Sequence, residues 1–186
     1  AQKVSPTDAR VKNEFVEFTS PNGNGKVRAL VARPAQAAGP LPVVLVIHEN
    51  RGLNPHIADV ARRAAAAGYL AFAPDALYPL GGYPGTADEG RTMQSTRNGA
   101  EMLEDFIAAV ELMQKHAGST GKVGVTGFCF GGGICNQLAI RVPTLLLWGK
   151  QSDLLTGDLV ETMLKRGPHP TLVSFDTPVA PGSRVR

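Results

Sequence analysis

The hydrophobic and polar positions near the N-terminus predict a hairpin and then a buried strand. Two strand-like segments, residues 14–20 and 27–33, flank an Asn/Gly-rich cluster at residues 21–25 that supplies turn geometry and positive φ. Residues 43–47 then form an apolar, β-branched run without polar alternation, which is typical of a strand covered on both faces. We therefore expect an antiparallel hairpin followed by a central parallel strand.

Beyond this run, strand-like and helix-like segments alternate along the chain. The further strand-like segments are short and comprise residues 69–73, 121–126, 144–148 and 171–175. The helix-like segments lie between them and comprise residues 54–68, 98–116, a stretch ending near residue 140, and 158–166. This order predicts an α/β fold with a mostly parallel sheet and helices on both faces, in a single domain over residues 1–186.

Composition and charge narrow the classes of function. The chain has 186 residues, of which 43% are hydrophobic, so it is long enough to bury a core without disulfides or metal. Its net charge of +3 comes from basic residues spread along the chain, with only 6% aromatics, so we expect no nucleic-acid partner. The longest apolar runs are far shorter than the roughly 20 residues of a membrane span, so we expect no membrane segment. The cysteines and histidines show no zinc-ligand spacing, and we expect neither metal nor cofactor.

The most informative motif is Gly127-Phe128-Cys129-Phe130-Gly131, which lies between a predicted strand and a predicted helix. Flanking glycines permit the sharp turn that projects a nucleophile above a sheet at a helix N-terminus. There the helix dipole favours a thiolate on Cys129, and the Phe130 N–H becomes a candidate oxyanion donor. The alternative is that Cys129 is a small core residue and the glycines serve packing, as we expect for Cys135 inside the helix.

A second motif, His48-Glu49-Asn50-Arg51-Gly52, follows the buried strand at its C-terminal end. Ligands of open α/β sheets bind at that edge. Glu49 is a candidate base for the thiol, and the Asn50 N–H is a candidate oxyanion donor. The alternative is a solvated Glu49 paired with Arg51. Alternation along the strand turns His48 to the other face, so we interpret it as a structural histidine.

These motifs together resemble the dienelactone hydrolase (carboxymethylenebutenolidase) family of the α/β-hydrolase superfamily. The resemblance covers about residues 11–142, and it is carried by residues 48–53, 73–75, 81–85 and 127–132. A cysteine in the elbow together with a glutamate after the third strand distinguishes this family from serine esterases of the same fold. The resemblance implies an α/β-hydrolase fold and hydrolysis of enol-lactones by a Cys-His-Asp triad, with a glutamate that primes the thiol.

The family roles carry over to several positions of this chain. Cys129 matches the nucleophile and Glu49 matches the priming carboxylate. Arg91 falls near the carboxylate-binding arginine of the family, and Arg51 is a second candidate anion contact. Exported members begin with a segment similar to residues 1–6, which implies a periplasmic or secreted origin, with a cytoplasmic location otherwise. We expect a monomer or dimer that binds a small, acidic ester or lactone.

The C-terminal part departs from the family pattern. One strand and the last helix of the pattern are missing after Val142, although residues 148–153 resemble the acid-bearing strand end of the wider superfamily, which makes Asp153 the candidate triad acid. His169 is the only histidine after Asp153. It precedes a predicted strand, and in a parallel sheet this places it at the edge opposite the strand ends that carry Cys129, where it is a poor candidate for the triad base.

Two hypotheses follow from these departures. The first is a hydrolase of small esters or lactones in which Cys129 is acylated readily but deacylation is slow. The alternative is a truncated or chimeric, non-catalytic remnant that binds ligand, or that dimerises over the sheet edge left by the missing strand.

Overall fold

In the computed structural model, the described residues are 3–142, 145–149, 157–165 and 171–175. They belong to two compact units, Ala1–Gln137 and Leu138–Arg186, which we describe separately. The single domain over residues 1–186 stays a prediction.

The first unit contains five strands and the helices between them. In chain order these are β1 (Val11–Ser20), β2 (Gly25–Pro34), β3 (Leu41–Ile47), α1 (Pro55–Ala66), β4 (Leu70–Pro74), a 3-10 turn (Tyr78–Leu80), α2 (Ala87–Ser95), α3 (Gly99–Lys115), β5 (Ser119–Gly127) and α4 (Phe130–Arg141), whose last turn crosses into the second unit.

These strands form one mixed sheet in the order β1-β2-β4-β3-β5. The β1–β2 hairpin is antiparallel, with Val11 opposite Pro34 and Ser20 opposite Gly25, which confirms the predicted hairpin. β2 also pairs antiparallel with β4, whereas β4, β3 and β5 are mutually parallel. The expected parallel arrangement therefore holds for the three strands whose carboxyl ends can carry a site.

Helices cover both faces of this sheet. On one face, Ile57, Ala61 and Ala65 of α1 pack against buried small and aliphatic residues of the strands, including Leu30, Val46, Ala71 and Ala73. Phe72 alternates with Ala71 and Ala73 and therefore faces the other side, where α3 packs against β1, β3, β4 and β5. Phe72 and Phe106 of α3 are both fully buried. The three-layer arrangement agrees with the predicted α/β fold.

Side-chain caps fix where the helices begin. Asn54 accepts hydrogen bonds from the N–H groups of His56 (3.0 Å) and Ile57 (3.1 Å), as its position before Pro55 predicts. The predicted elements include no helix between residues 73 and 98, whereas in the structure residues 87–95 form α2. Thr86 caps α2 by accepting from the Glu89 N–H at 3.3 Å. This Thr-x-x-Glu capping box was the sequence signal for the helix.

The second unit contains β6 (Leu145–Gly149), α5 (Gly157–Lys165) and β7 (Thr171–Phe175). β6 and β7 pair in parallel, with Leu145 opposite Thr171 and Gly149 opposite Phe175. Strand, helix and parallel strand follow the order predicted for the tail. The predicted triad residues Asp153 and His169 lie outside the described residues.

Candidate active site

A sharp turn between β5 and α4 presents Cys129. β5 ends at Gly127 and α4 begins at Phe130, so two residues make the connection. Cys129 has φ 55°, and it is the one non-glycine residue with positive φ in the part of the chain that the structure describes. This left-handed conformation costs an L-residue free energy and persists only where its surroundings impose it. The Cys129 side chain is exposed.

The glycines on both sides of the turn are required by close backbone contacts. A Cβ on Gly127 would lie 2.6 Å from the carbonyl carbon of Gly131. A Cβ on Gly131 would lie 2.6 Å from the carbonyl oxygen of Ile47 and 2.7 Å from that of His48. Because real Cβ atoms do not approach so closely, only glycine fits at either position, and the start of α4 is packed against the end of β3.

The same packing brings the second sequence motif to the turn. β3 and β5 are parallel neighbours, with Ile47 opposite Gly127, so the residues that follow each strand leave the sheet side by side. The His48 ring lies 5.9 Å from the Phe130 ring, at an interplanar angle of 20°. The structure therefore brings the segment containing Glu49 and Asn50 next to the Cys129 turn.

Two backbone donors at this junction are available to a ligand. At the start of α4, the N–H groups of Gly131 and Gly133 bond to carbonyl oxygens within the same turn. The N–H groups of Phe130 and Asn50 have no hydrogen-bond partner among the described residues. These are the two predicted oxyanion donors, and a helix N-terminus that leaves an N–H free favours a developing negative charge.

His48 is fully buried beneath this junction. Its Nδ1 lies 2.5 Å from the Glu49 carbonyl oxygen, and its Nε2 accepts from the Ala76 N–H at 3.1 Å. Phe106 contacts the ring from the α3 side, with 6.0 Å between ring centroids, and Phe130 stacks on it. Burial lowers the pKa of His48 below its ordinary value. Both ring nitrogens thus bond to backbone groups, and His48 is not placed to take a proton from a ligand.

α2 packs against the segment that follows Asn50. A Cβ on Gly90 would lie 2.6 Å from the Arg51 carbonyl oxygen, and the Gly52 N–H donates to Oε1 of Gln94 at 3.3 Å. The Arg51 side chain is half-buried, and its enclosed Nε has no partner among the described residues. Arg51 and Glu49 do not pair among the ion pairs of the described residues. The alternative interpretation, in which Glu49 forms an ion pair with Arg51, is therefore not supported by the structure.

The other predicted anion contact, Arg91, lies on the same helix as Gly90. Its side chain is 53% exposed and pairs with the exposed Asp88 at 3.3 Å. A pair of this kind is weak, so it leaves the guanidinium able to turn toward an anion. Arg51 and Arg91 are brought to the same region because α2 lies against the Arg51 backbone.

The second cysteine provides an internal comparison. Cys135 lies within α4 and is half-buried, and burial raises its pKa to about 11. A thiol with such a pKa is almost wholly protonated at neutral pH, so Cys135 is a poor nucleophile there. Cys135 is half-buried rather than a fully buried core cysteine, but it does not compete with Cys129 as a nucleophile.

The sequence of this chain matches the model of one known protein family. The model of the dienelactone hydrolase family matches residues 27–148, which include the β3 end, α2 and the Cys129 turn. The chain belongs to the dienelactone hydrolase family. It shares the α/β-hydrolase-like fold of that family.

Three similar proteins illustrate the extent of the match. "Putative hydrolase fragment YghX" of Escherichia coli K12 is 53% identical over 94 residues, which are 50% of this chain and 80% of that protein. "Putative carboxymethylenebutenolidase" of the same organism is 36% identical over 83% of this chain and 57% of its own length. The solved structure of a "Putative Dienelactone Hydrolase" from Klebsiella pneumoniae has a TM-score of 0.58 and 27% identity, covering 88% of this chain and 85% of that one. The chain thus spans a little over half the length of the curated carboxymethylenebutenolidase.

The part of the chain that the structure describes contains no grouped metal ligands and no membrane-spanning helix. In that part of this dienelactone hydrolase family member, no three His, Cys, Asp or Glu side chains are grouped so that they could hold a metal ion. None of the helices described combines the length and apolarity needed to cross a bilayer.

Sequence reasoning missed Ala76 and Gln94, whose backbone and amide groups hold the 48–52 segment. Both are far from this segment in sequence, so no local pattern indicates their contacts.

Proposed function

We propose that this chain is acylated on the Cys129 sulfur by small esters or lactones. The observation that supports this most is the left-handed Cys129, exposed between two glycines that admit no Cβ, at the start of a helix. Stored strain of this kind at an exposed nucleophile is a feature of functional sites rather than of core packing. Membership of the dienelactone hydrolase family supports the same chemistry.

In the proposed step, the Glu49 carboxylate takes the proton of the Cys129 thiol. The thiolate sulfur then attacks the carbonyl carbon, a C–S bond forms, and the carbonyl π electrons move to oxygen. The N–H groups of Phe130 and Asn50 hold that oxyanion. When the C=O re-forms, the C–O bond of the ester breaks, and the leaving oxygen takes the proton back from Glu49. In a lactone, the leaving oxygen stays attached to the same acyl chain.

The charge near the site favours an acidic substrate. Arg91 lies on α2, which packs through Gly90 against the Arg51 backbone in the segment after β3, and Arg51 has an Nε without a partner among the described residues. A guanidinium recognises a carboxylate through paired N–H groups. We therefore propose that a carboxylate on the substrate lies toward these arginines.

Deacylation is the slow step in this proposal. It requires a base that activates water, for which Asp153 and His169 are the candidates in the sequence. If His169 is placed before its strand as the sequence predicts, it does not reach the acyl group. The expected behaviour is then a stoichiometric burst followed by slow release.

The test is hydrolysis of p-nitrophenyl acetate, with intact-mass analysis of the protein in parallel. The parent and Cys135→Ala are expected to release a burst of p-nitrophenol and to carry one acetyl group, whereas Cys129→Ala shows neither. Comparison with His169→Ala reports whether His169 contributes to the rate after the burst. Equal behaviour of Cys129→Ala and the parent would contradict the proposal, and size-exclusion and ligand-binding measurements would then examine the non-catalytic alternative.

A further inference from the structure

The peptide group between Glu49 and Asn50 has two ends with different partners. Its carbonyl oxygen lies 2.5 Å from Nδ1 of His48. Its N–H, on Asn50, has no partner among the described residues and is the proposed oxyanion donor. In a trans peptide the C=O and N–H point in opposite directions. A hydrogen bond that fixes the carbonyl therefore also fixes the direction of the N–H, away from the imidazole.

The proton that His48 needs for this hydrogen bond is assigned by its other nitrogen. Nε2 accepts from the Ala76 N–H at 3.1 Å, so Nε2 carries no proton in this arrangement. In a neutral imidazole the proton then sits on Nδ1, which donates to the Glu49 carbonyl oxygen. The Ala76 N–H thus selects the tautomer that orients the peptide.

The Ala76 peptide is itself held in place from several directions. Nε of Arg97 donates to the Ala76 carbonyl oxygen at 3.0 Å. On the N-terminal side, the Asp75 N–H donates to the Arg28 carbonyl at 2.8 Å, and the Asp75 carboxylate accepts from the Leu77 N–H at 3.1 Å. The donor that faces His48 is therefore part of a loop after β4 that several hydrogen bonds hold in place.

The imidazole also contacts the residue that carries the second donor. The His48 and Phe130 rings stack at 5.9 Å and 20°, and the Phe106 ring contacts both of them, at 6.0 Å from His48 and 6.4 Å from Phe130. The Phe130 backbone is at the start of α4, where its N–H is free among the described residues. One fully buried side chain therefore contacts both the carbonyl of the peptide that carries the Asn50 N–H and the ring of the residue that carries the Phe130 N–H.

We infer that His48 is a positioning residue for the oxyanion hole, which orients the Glu49–Asn50 peptide by its Nδ1–H and supports Phe130 by stacking. The inference rests on the proposed acylation of Cys129. Loss of one oxyanion donor costs an enzyme roughly 10²–10³ in rate, so an unfixed peptide should slow acylation by up to that factor. Binding of the ester in its ground state should change little, because the oxyanion does not yet exist.

Three variants separate the functions of the ring. An asparagine amide nitrogen takes approximately the place of Nδ1, so His48→Asn keeps a donor for the Glu49 carbonyl. A glutamine amide reaches the place of Nε2, so His48→Gln keeps the contact with Ala76 but loses that donor. His48→Phe keeps an aromatic ring for Phe130 and has no hydrogen bond. We expect acylation to be about 10²-fold slower or more in His48→Gln and His48→Phe than in the parent. His48→Asn should acylate faster than these two variants, because it keeps the donor to the Glu49 carbonyl.

The experiment measures two reactions of the same sulfur in each variant. The burst rate with p-nitrophenyl acetate depends on the oxyanion donors, whereas alkylation by iodoacetamide passes through no oxyanion. The inference predicts a slower burst with an unchanged alkylation rate. Equal burst rates in parent, Gln and Phe variants would overturn it and leave the acylation proposal intact. Parallel loss of both reactions would also overturn it, because that result shows only a distorted turn.

Two controls keep the outcome interpretable. If the parent shows no burst, it is the proposed acylation that fails. If the variants do not fold, the tautomer of the parent decides: long-range ¹H–¹⁵N NMR should show His48 protonated on Nδ1, and protonation on Nε2 instead would overturn the inference.

Discussion

The α-carbon of Gly131 lies against the carbonyl oxygen of Ile47, so closely that a Cβ at position 131 would be 2.6 Å from it. This contact joins the first turn of α4 to the last residue of β3. It places the Cys129 turn next to the segment that carries Glu49 and Asn50. The site thus depends on the absence of a single methyl group.

A methyl group at this contact should be strongly destabilising. In Gly131→Ala, the new Cβ meets two backbone oxygens that cannot move without displacing β3, so we expect the free energy of unfolding to fall by about 1–3 kcal/mol or more. Gly133 is the matched control, since a Cβ there meets nothing within 4 Å. Gly133→Ala should raise the free energy of unfolding by about 0.5–1 kcal/mol. Urea unfolding measures both, and similar effects of the two substitutions would contradict the contact.

The two cysteines should differ in their reactivity toward thiol reagents. Cys129 is exposed, whereas burial raises the pKa of Cys135 to about 11. At pH 8 a thiol with that pKa is roughly 0.1% thiolate, so Cys135 should react very slowly. We expect one fast equivalent of modification by a disulfide reagent in the parent and in Cys135→Ala, and none in Cys129→Ala. Fast modification of Cys129→Ala would show that the second thiol is accessible and ionised.

Much of the fold could be predicted because its signals are local. The Asn/Gly cluster before β2, the apolar run of β3 and the Asn54 cap each act on neighbouring residues. The structure has the hairpin, the buried strand and the helix start that they predict. α2 was not predicted because the glycines at 81, 82 and 85 just before it are typical of a loop, although Thr86 and Glu89 form a capping box.

The site was predictable only in part, for the same physical reason. The glycines around Cys129 indicate a sharp turn because the contact of Gly127 with Gly131 is local, whereas the contact of Gly131 with Ile47 forms only in the packed sheet. The hydrogen bonds of His48 to Ala76 and of Ala76 to Arg97 join three segments that only the packed sheet brings together. No spacing along the chain encodes such contacts, so the polar network beneath the turn could not be found from the sequence.

The buried His48 should make stability depend on pH. Burial lowers the pKa of His48 in the folded protein, opposed in part by the Glu49 carbonyl and then by the Asp75 carboxylate, whereas the unfolded chain has the ordinary value of about 6.5. Below that pH the unfolded state binds more protons than the folded state. The contribution of His48 to the free energy of unfolding is therefore complete above about pH 6.5 and decreases as the pH falls. The slope should reach at most about 1.4 kcal/mol per pH unit.

Urea unfolding between about pH 7 and pH 5 measures this slope before the carboxyl groups titrate. His48→Gln is the control, because its amide does not titrate in this range. The variant should lose the part of the slope that belongs to His48. An unchanged slope in His48→Gln would place the pH dependence elsewhere in the protein.

Asp59 should hold the N-terminal segment on α1. One carboxylate oxygen accepts from the Val4 N–H at 2.7 Å, and the other pairs with Arg63 at 2.7 Å, while Arg62 donates to the Val4 carbonyl at 2.7 Å. Burial would raise the pKa of Asp59, but the Val4 N–H and Arg63 outweigh it and lower the pKa. Asp59→Ala leaves buried donors unpaired and should reduce the free energy of unfolding by about 1.5–3 kcal/mol.

Limited proteolysis should also cut the first ten residues faster in Asp59→Ala than in the parent. Asp88→Ala provides the comparison, since its ion pair with Arg91 is exposed and should be worth less than about 0.5 kcal/mol. If the two substitutions have the same effect on unfolding and proteolysis, Asp59 does not anchor this segment.

The two arginines near α2 should differ in what they contribute to substrate preference. Arg51 is half-buried, and its backbone is fixed by Gly90, so its guanidinium is partly ordered before a ligand binds. Arg91 is more than half exposed and has to leave Asp88 to bind an anion. A side chain that is ordered before binding loses less conformational entropy when the ligand binds. Arg51→Gln should therefore weaken the binding of an anionic ester more than Arg91→Gln does.

The measurement is the burst rate against substrate concentration for two p-nitrophenyl esters, one neutral and one with a terminal carboxylate. We expect Arg51→Gln to raise the half-saturating concentration of the anionic ester about tenfold or more, which corresponds to the loss of one charge-assisted hydrogen bond of about 1.5–3 kcal/mol. The neutral ester should be affected by less than about twofold in both variants, because it offers the guanidinium no charge. A larger effect in Arg91→Gln would reverse the assignment, and equal loss for both esters would mean that Arg51 supports the β3 end rather than the substrate.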